Sequence, residues 1–217
     1  TGSGKTMTLS ALLSALNTEC RNIISIEDPV EMLLPGVNQI QILEKAGVEF
    51  KSILRSLLRQ DPDVLMIGEI RDAETARIAI EAALTGHFLM STMHCGSPAA
   101  GFLRLLEMGI EPYQISSSVC AILNQRLVRR LCPKCKNKSG GCEHCLNTGY
   151  KGRAMIAELA EMNSPLRKAI AQKADIETLD EILSRQNYQN IFADGKRLVE
   201  KGVTDTNELD RVLGKVD

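Results

Sequence analysis

The 217-residue sequence contains no tryptophan, and its aromatic fraction is 3%. The core must therefore be built from Leu, Ile, Val, Ala and Met, and no stacking platform for nucleic-acid bases is visible. Long apolar runs are missing too: no stretch approaches the roughly 18 residues that cross a bilayer, and no signal-peptide layout opens the chain. A large excess of either charge is also absent, because 26 basic and 27 acidic residues leave a net charge of −1. That balance argues against a surface evolved as a whole to wrap polyanions. Hydrophobic residues at 44% and charged residues at 24% are the proportions of a folded globular chain.

Seven cysteines are present, at 20, 95, 120, 132, 135, 142 and 145. An odd count without a secretory leader fits a disulfide framework poorly. The last four form two Cys-x-x-Cys pairs, a spacing that aims two thiolates at one ion and predicts a structural, tetrahedral zinc site on Cys132, Cys135, Cys142 and Cys145. Only a short loop separates the pairs, and Lys138-Ser139-Gly140-Gly141 supplies its turn. Cys20, Cys95 and Cys120 read as small core residues.

Periodicity predicts alternating helices and strands in the first half. Leu9, Leu12, Leu13 and Leu16 form a helical stripe, and Phe50, Ile53, Leu54, Leu57 and Leu58 form a cleaner one. Ala73–Leu84 reads as another helix. Ile23–Ile26, Val64–Ile67 and Phe88–Thr92 read as buried strands, a pattern that predicts a largely parallel sheet in an α/β fold. Beyond Ser97-Pro98 the sequence reads as mainly helical, apart from the cysteine segment.

Thr1, Gly2, Ser3, Gly4, Lys5 and Thr6, leading into the first helix, form most of a phosphate-binding loop. Glycines let backbone N–H groups approach phosphates, and a helix N-terminus favours negative charge. Lys5 would reach the β- and γ-phosphates, and the Thr6 hydroxyl would hold Mg²⁺. The full pattern has a further glycine two positions before Thr1. Glu27 and Glu69 each close a buried strand, which places both at the edge where open parallel sheets bind ligands. Glu69 would join Thr6 at the magnesium, and a second acid would orient or deprotonate water. His87 and His94 bracket the third strand, and His94 is a further catalytic candidate.

Together these motifs resemble the type II secretion and type IV pilus assembly ATPase family. Thr1–Thr6 is similar to its Walker A, Ile26-Glu-Asp-Pro-Val-Glu31 to its Asp box, Leu65–Asp72 to its Walker B and Thr85–His94 to its His box. Leu58–Asp63, Gln125–Cys135, Gly149–Arg153 and Gly202–Val212 also match. The resemblance implies a RecA-like ATPase core over 1–131, truncated at its start, a zinc segment over 132–150 and a helical C-terminal subdomain over 151–217. It implies the C-terminal part of a longer protein, and therefore feeble ATP hydrolysis by this stretch alone. Glu27 would be the water-activating acid and Glu69 the Walker B acid, although the residues themselves leave that division open. Arg55, Arg59, Arg71 and Arg153 fall where such enzymes sense nucleotide or contact a neighbouring subunit; for Arg55 and Arg59 a solvated helix face is the competing reading.

What the resemblance implies for the whole protein is a homohexamer using ATP, Mg²⁺ and structural Zn²⁺. It would be cytoplasmic and peripherally attached to the inner membrane, working with a platform protein and a cytoplasmic adaptor to drive pilus or pseudopilus assembly and protein secretion. Two departures are visible. Cys95-Gly96-Ser97-Pro98 follows the His box in place of the usual Thr-Asn-Asp-Ala, and the zinc loop is short for a secretion enzyme. The competing class is a DNA-translocating hexamer or zinc-knuckle nucleic-acid binder. It rests on Arg126, Arg129, Arg130, Lys134, Lys136 and Lys138 with no intervening acid; the missing aromatics weigh against it.

Overall fold

A computed structural model describes residues 2–43, 50–137, 140–185 and 188–214. Chain contacts divide it into two compact units. One comprises residues 5–122 and 161–183; the other comprises residues 2–4, 123–160 and 184–214.

The first unit is built on four parallel strands: β1 (Ile23–Glu27), β2 (Asn38–Gln41), β3 (Val64–Ile67) and β4 (Phe88–Ser91). They lie in the order β2-β1-β3-β4. Every residue of β1 and β3 is buried, because helices cover both faces and the strands must be apolar on both sides. On one face Ile23, Val64 and Met66 pack against Leu9 and Leu13 of α1 (Lys5–Leu16). On the other, Ile24, Ile26, Leu65 and Ile67 meet Leu54 and Leu57 of α2 (Phe50–Leu57) and Ile78 and Ala79 of α3 (Ala73–Leu84). Of the expected leucine stripe on α1, Leu12 faces solvent.

The expected elements 64–67 and 73–84 are observed with those limits, whereas β2, whose one apolar residue is Ile40, is a strand unforeseen in the sequence. Its sequence, Asn-Gln-Ile-Gln, is paired among the described strands to β1 alone and is half exposed. Asp72 caps α3 by accepting from the backbone N–H groups of Glu74 (3.0 Å) and Thr75 (2.9 Å). Ser97 caps α4 (Pro98–Glu107) in the same way, with Pro98 in the first turn, which gives the unusual Ser-Pro after the His box a structural purpose. The unit is completed by α5 (Pro112–Ser118), α6 (Ser164–Ala171) and α7 (Ile176–Ser184).

The second unit corrects the expectation of a mainly helical second half. Two long strands, β5 (Ala121–Leu131) and β6 (Tyr150–Glu161), pair as a separate sheet, flanked by α8 (Ile191–Glu200) and α9 (Thr206–Leu213). Val128, Ile156, Ile191, Leu198 and Leu209 form its core. The polar and basic residues of β5, such as Arg126 and Arg129, obscure its alternation because several of them are hydrogen-bonded rather than solvated. A second correction concerns the isolated cysteines. Cys20 and Cys120 are exposed and Cys95 is half-buried, so the first two are not core residues.

Candidate nucleotide site and cysteine cluster

The N-terminal turn uses two glycines with left-handed backbone, Gly2 (φ 78°) and Gly4 (φ 89°), conformations that side chains with a Cβ resist. Gln125 on β5 donates to the Ser3 carbonyl at 2.9 Å and anchors the turn. Helix α1 starts directly afterwards at Lys5, so the lysine and Thr6 occupy its first turn. Thr1 lies outside the described residues.

Glu69 follows β3, and His94 follows β4, at the carboxyl edge of the sheet. The two segments are tied together by the Thr92 hydroxyl, which donates to the Gly68 carbonyl at 2.8 Å, and by the Ile70 N–H, which donates to the Thr92 carbonyl at 2.8 Å. His94 Nε2 then lies 3.3 Å from Glu69 Oε2, while His94 Nδ1 lies 3.3 Å from Lys5 Nζ. An ammonium group has only protons to give, so Nδ1 accepts and the imidazole proton resides on Nε2, facing Glu69. The charge of Lys5, then burial and Arg71, hold the His94 pKa below its ordinary 6.5, consistent with that neutral ring. Arg71 pairs with the other oxygen of Glu69 and lies 3.7 Å from Asp28 Oδ2.

Glu27 occupies the end of the adjacent strand. Gly68 N–H donates to Ile26 O at 2.8 Å, which fixes the two strand ends side by side. Residues 23, 25 and 27 share one face of β1, and Ile23 packs against α1, so Glu27 points to the side of the sheet that carries the lysine helix. Glu27 as a whole is 5% exposed, and its carboxylate accepts at Oε1 from Ser25 Oγ (2.7 Å) and Gln39 Nε2 (2.9 Å). Neither donor was among the expected site residues. Ser25 carried a signal, a lone hydroxyl in an apolar strand two positions before an acid; Gln39 carried none, because β2 itself was unreadable.

The other candidates sit apart. Arg55 lies on the exposed side of α2 and pairs with Glu74 at 3.3 Å, Arg59 is exposed beyond that helix, and Arg153 is exposed on β6. His87 stands at the opposite, amino edge of β4, where Nδ1 lies 3.1 Å from the Ala82 carbonyl and closes α3. Two histidines bracketing a strand necessarily lie at opposite edges of the sheet.

The four cysteines 132, 135, 142 and 145 converge, with all four sulfur atoms within 4.8 Å of one another. Sγ–Sγ separations of 3.9 Å (Cys132–Cys142), 3.8 Å (Cys135–Cys145) and 3.8 Å (Cys142–Cys145) match the edge of a tetrahedron with metal–sulfur bonds of about 2.3 Å, which is about 3.8 Å. Each pair is followed by two left-handed residues, Lys136 and Asn137 after the first, Leu146 and Asn147 after the second. The two knuckles thus repeat one backbone turn. Lys138 and Ser139, expected in the turn between them, lie outside the described residues. Burial opposes ionisation of Cys145, but N–H donors from Cys142 and Gly149 outweigh it and take the thiol down to about 6. Burial pushes Cys135 up to about 12. Four thiols this close cannot all ionise alone, and a soft dication would supply the missing compensation.

The knuckle is braced within its own unit. Asn137 Nδ2 donates to Asp205 at 3.2 Å, and the Tyr150 hydroxyl donates to the same carboxylate at 2.7 Å. Arg129 stacks over the Tyr150 ring at 4.1 Å and donates to the fully buried Glu208 at 2.6 Å, which Arg211 also grips at 2.7 Å. Burial works against this carboxylate, yet the two guanidinium groups hold its pKa at about 2.

Comparison with known proteins agrees with these motifs. The Protein transport protein HofB homolog of Escherichia coli K12 is 43% identical over 99% of this chain and 50% of its own length. The type II secretion system protein E of Aeromonas hydrophila is 44% identical over 98% of this chain and 47% of its own. The type IV pilus assembly ATPase PilB of Thermus thermophilus is 41% identical over 96% and 26%. This chain therefore spans about half the length of the first two relatives. Among solved structures, the pilus retraction motor PilT with bound ADP superimposes with a TM-score of 0.78 at 26% identity, covering 100% of this chain and 59% of that one. The Legionella pneumophila ATPase DotB gives 0.74 at 25% identity, with 97% and 57% coverage. Residues 1–211 match the family described as Type II/IV secretion system protein, and the chain belongs to that family.

Proposed function

We propose that the protein of which this chain is part is an ATP-hydrolysing motor that powers pilus or pseudopilus assembly and protein secretion. The observation that supports this most is the meeting of Lys5, His94 and Glu69 at the carboxyl edge of a parallel sheet, with Glu27 on the neighbouring strand end. Gly2, Ser3, Gly4 and Lys5, with Thr1 before them, would cradle the phosphates. Thr6 and Glu69 offer hard oxygen donors suited to Mg²⁺, which would neutralise phosphate charge when bound. Glu27 would accept a proton from the attacking water, and His94 would hold Glu69 in place through its Nε2–H. Arg71 pairs with both acidic motifs, whereas Arg55, Arg59 and Arg153 are exposed and suited to contacts with a neighbouring subunit of a hexamer.

The relatives named as secretion and pilus proteins support the transport role, and a protein in that role would sit peripherally at the inner membrane beside a platform protein and an adaptor. Among the described residues no helix is long and apolar enough to cross a membrane. Cys132, Cys135, Cys142 and Cys145 would hold a structural Zn²⁺, since four thiolates leave no open position for catalysis. Along the sequence the motor core would span 1–131, the zinc segment 132–150 and the C-terminal part 151–217. The test is Mg·ATP hydrolysis by the complete polypeptide and its Glu69→Gln variant. Turnover should fall while nucleotide binding persists; equal loss of both would refute the role of Glu69.

The nucleic-acid reading loses support from the basic stretch itself. Arg129 is engaged by Glu208 and Tyr150, and Arg126 donates to Asn124 and to the Gln125 carbonyl. A gel shift across several salt concentrations separates the classes, because phosphate contacts weaken steeply with salt.

A further inference from the structure

We infer that Gln39, together with Ser25, is a positioning residue for the water-activating carboxylate, an inference that rests on the reading of Glu27 given above. Both donors meet the same oxygen, Oε1, at 2.9 Å and 2.7 Å. The second oxygen, Oε2, has no hydrogen bond among the described residues. No fully buried side-chain polar atom among them is unpartnered, so Oε2 keeps contact with solvent. One oxygen is thus clamped by two donors, and the other is left to whatever enters the site. A glutamate has three rotatable bonds, and clamping one oxygen removes most of the freedom that would otherwise misaim the other.

Gln39 does more than hold Glu27. Its Nε2 also donates to the Met32 carbonyl at 2.9 Å, and its Oε1 accepts from the Leu34 N–H at 2.7 Å. The amide therefore ties the carboxylate to the segment leading from Asp28, the acid that faces Arg71. Its own backbone is fixed by pairing with Ser25, so the donor, the serine and the acid are set by one strand register, Ser25 opposite Gln39 and Glu27 opposite Gln41. A half-exposed amide in a polar edge strand, braced by the Met32 and Leu34 backbone while it donates to a buried acid, is better explained by aim than by core stability.

The test compares Gln39→Met, which keeps length and removes the hydrogen bonds, with Ser25→Ala and Glu27→Gln in the complete polypeptide with Mg·ATP. Gln39→Met should lower kcat by about 10- to 100-fold, with KM and nucleotide affinity within about twofold of wild type. Under single-turnover conditions Gln39→Met combined with Glu27→Gln should be no slower than Glu27→Gln alone, because a residue acting through another adds nothing once that other is gone. Gln39→Met with wild-type turnover, or a multiplicative loss in the double variant, overturns the inference while leaving Glu27 its role. Wild-type turnover in Glu27→Gln overturns the reading of Glu27 and the inference with it. Should Gln39→Met fail to fold, Ser25→Ala removes the other donor to the same oxygen, and a kcat loss of at least several-fold is expected; none would overturn the proposal.

Discussion

His94 and Glu69 stand 3.3 Å apart although 25 positions separate them in the chain, and the imidazole between Glu69 and Lys5 has a donor on one side and an acceptor on the other. This places a neutral ring, rather than a second cation, beside the lysine. Its chemical meaning is directional: a tautomer fixed by the lysine points its Nε2–H at the acid and donates a hydrogen bond to it.

That relationship predicts the titration of His94. The midpoint should lie below 6.5, and Lys5→Met should raise it, because repulsion by the ammonium is the largest cause of the depression. The ring is neutral above its midpoint and charges as pH falls through it. An NMR titration of the His94 ring in both proteins measures the difference; an unchanged midpoint in Lys5→Met would contradict the contact.

For Glu69→Gln, hydrolysis should fall by about two to four orders of magnitude. ADP and ATP binding should stay within a few-fold. Equilibrium binding and steady-state turnover on the same preparation check the split.

The buried Glu208 predicts acid sensitivity in the unit formed by 123–160 and 184–214. Its pKa is about 2 in the folded chain against an ordinary 4.5, so its stabilisation is complete above 4.5 and is lost as pH falls from there toward 2. Glu208→Gln should cost about 3 kcal/mol, since Arg129 and Arg211 lose a shared buried anion. Hydrogen exchange of that unit at neutral and acid pH should show the loss, and the variant should flatten the pH dependence.

Metal removal should loosen the same unit. Chelation, or Cys142→Ser, should release protection around Asn137, Tyr150 and Asp205, which bond across the knuckle. Gly149→Ala should act similarly, because a Cβ there would collide with the Asn137 side chain in a left-handed backbone (φ 77°). Metal content by mass spectrometry should report close to one zinc per chain before chelation.

Much of the fold could be read from periodicity where burial is two-sided. Ile23–Ile26 and Val64–Ile67 are apolar on both faces because helices cover both, and no competing structure explains such short runs bounded by Asp, Pro and Gly. β2, β5 and β6 were unreadable for the opposite reason. Their polar residues are paired with partners far along the chain: Gln39 with Glu27, Asn124 with Glu158, Arg129 with Glu208. A buried polar side chain with a distant partner looks like a solvated one in sequence.

The order of residues alone determined the chemistry on offer: a glycine turn before a lysine, acids at the ends of apolar strands, and two cysteine pairs. These are local patterns, set by backbone freedom, strand termination and turn geometry over a few residues. Only the tertiary structure decided which of those groups meet. The parallel register of β1, β3 and β4 sets their carboxyl ends side by side, so Glu69 reaches His94, whose other ring nitrogen meets Lys5, while His87 is carried to the far edge. Strand pairing and helix packing depend on contacts between distant segments, and it is those contacts that turn a set of reactive side chains into a site.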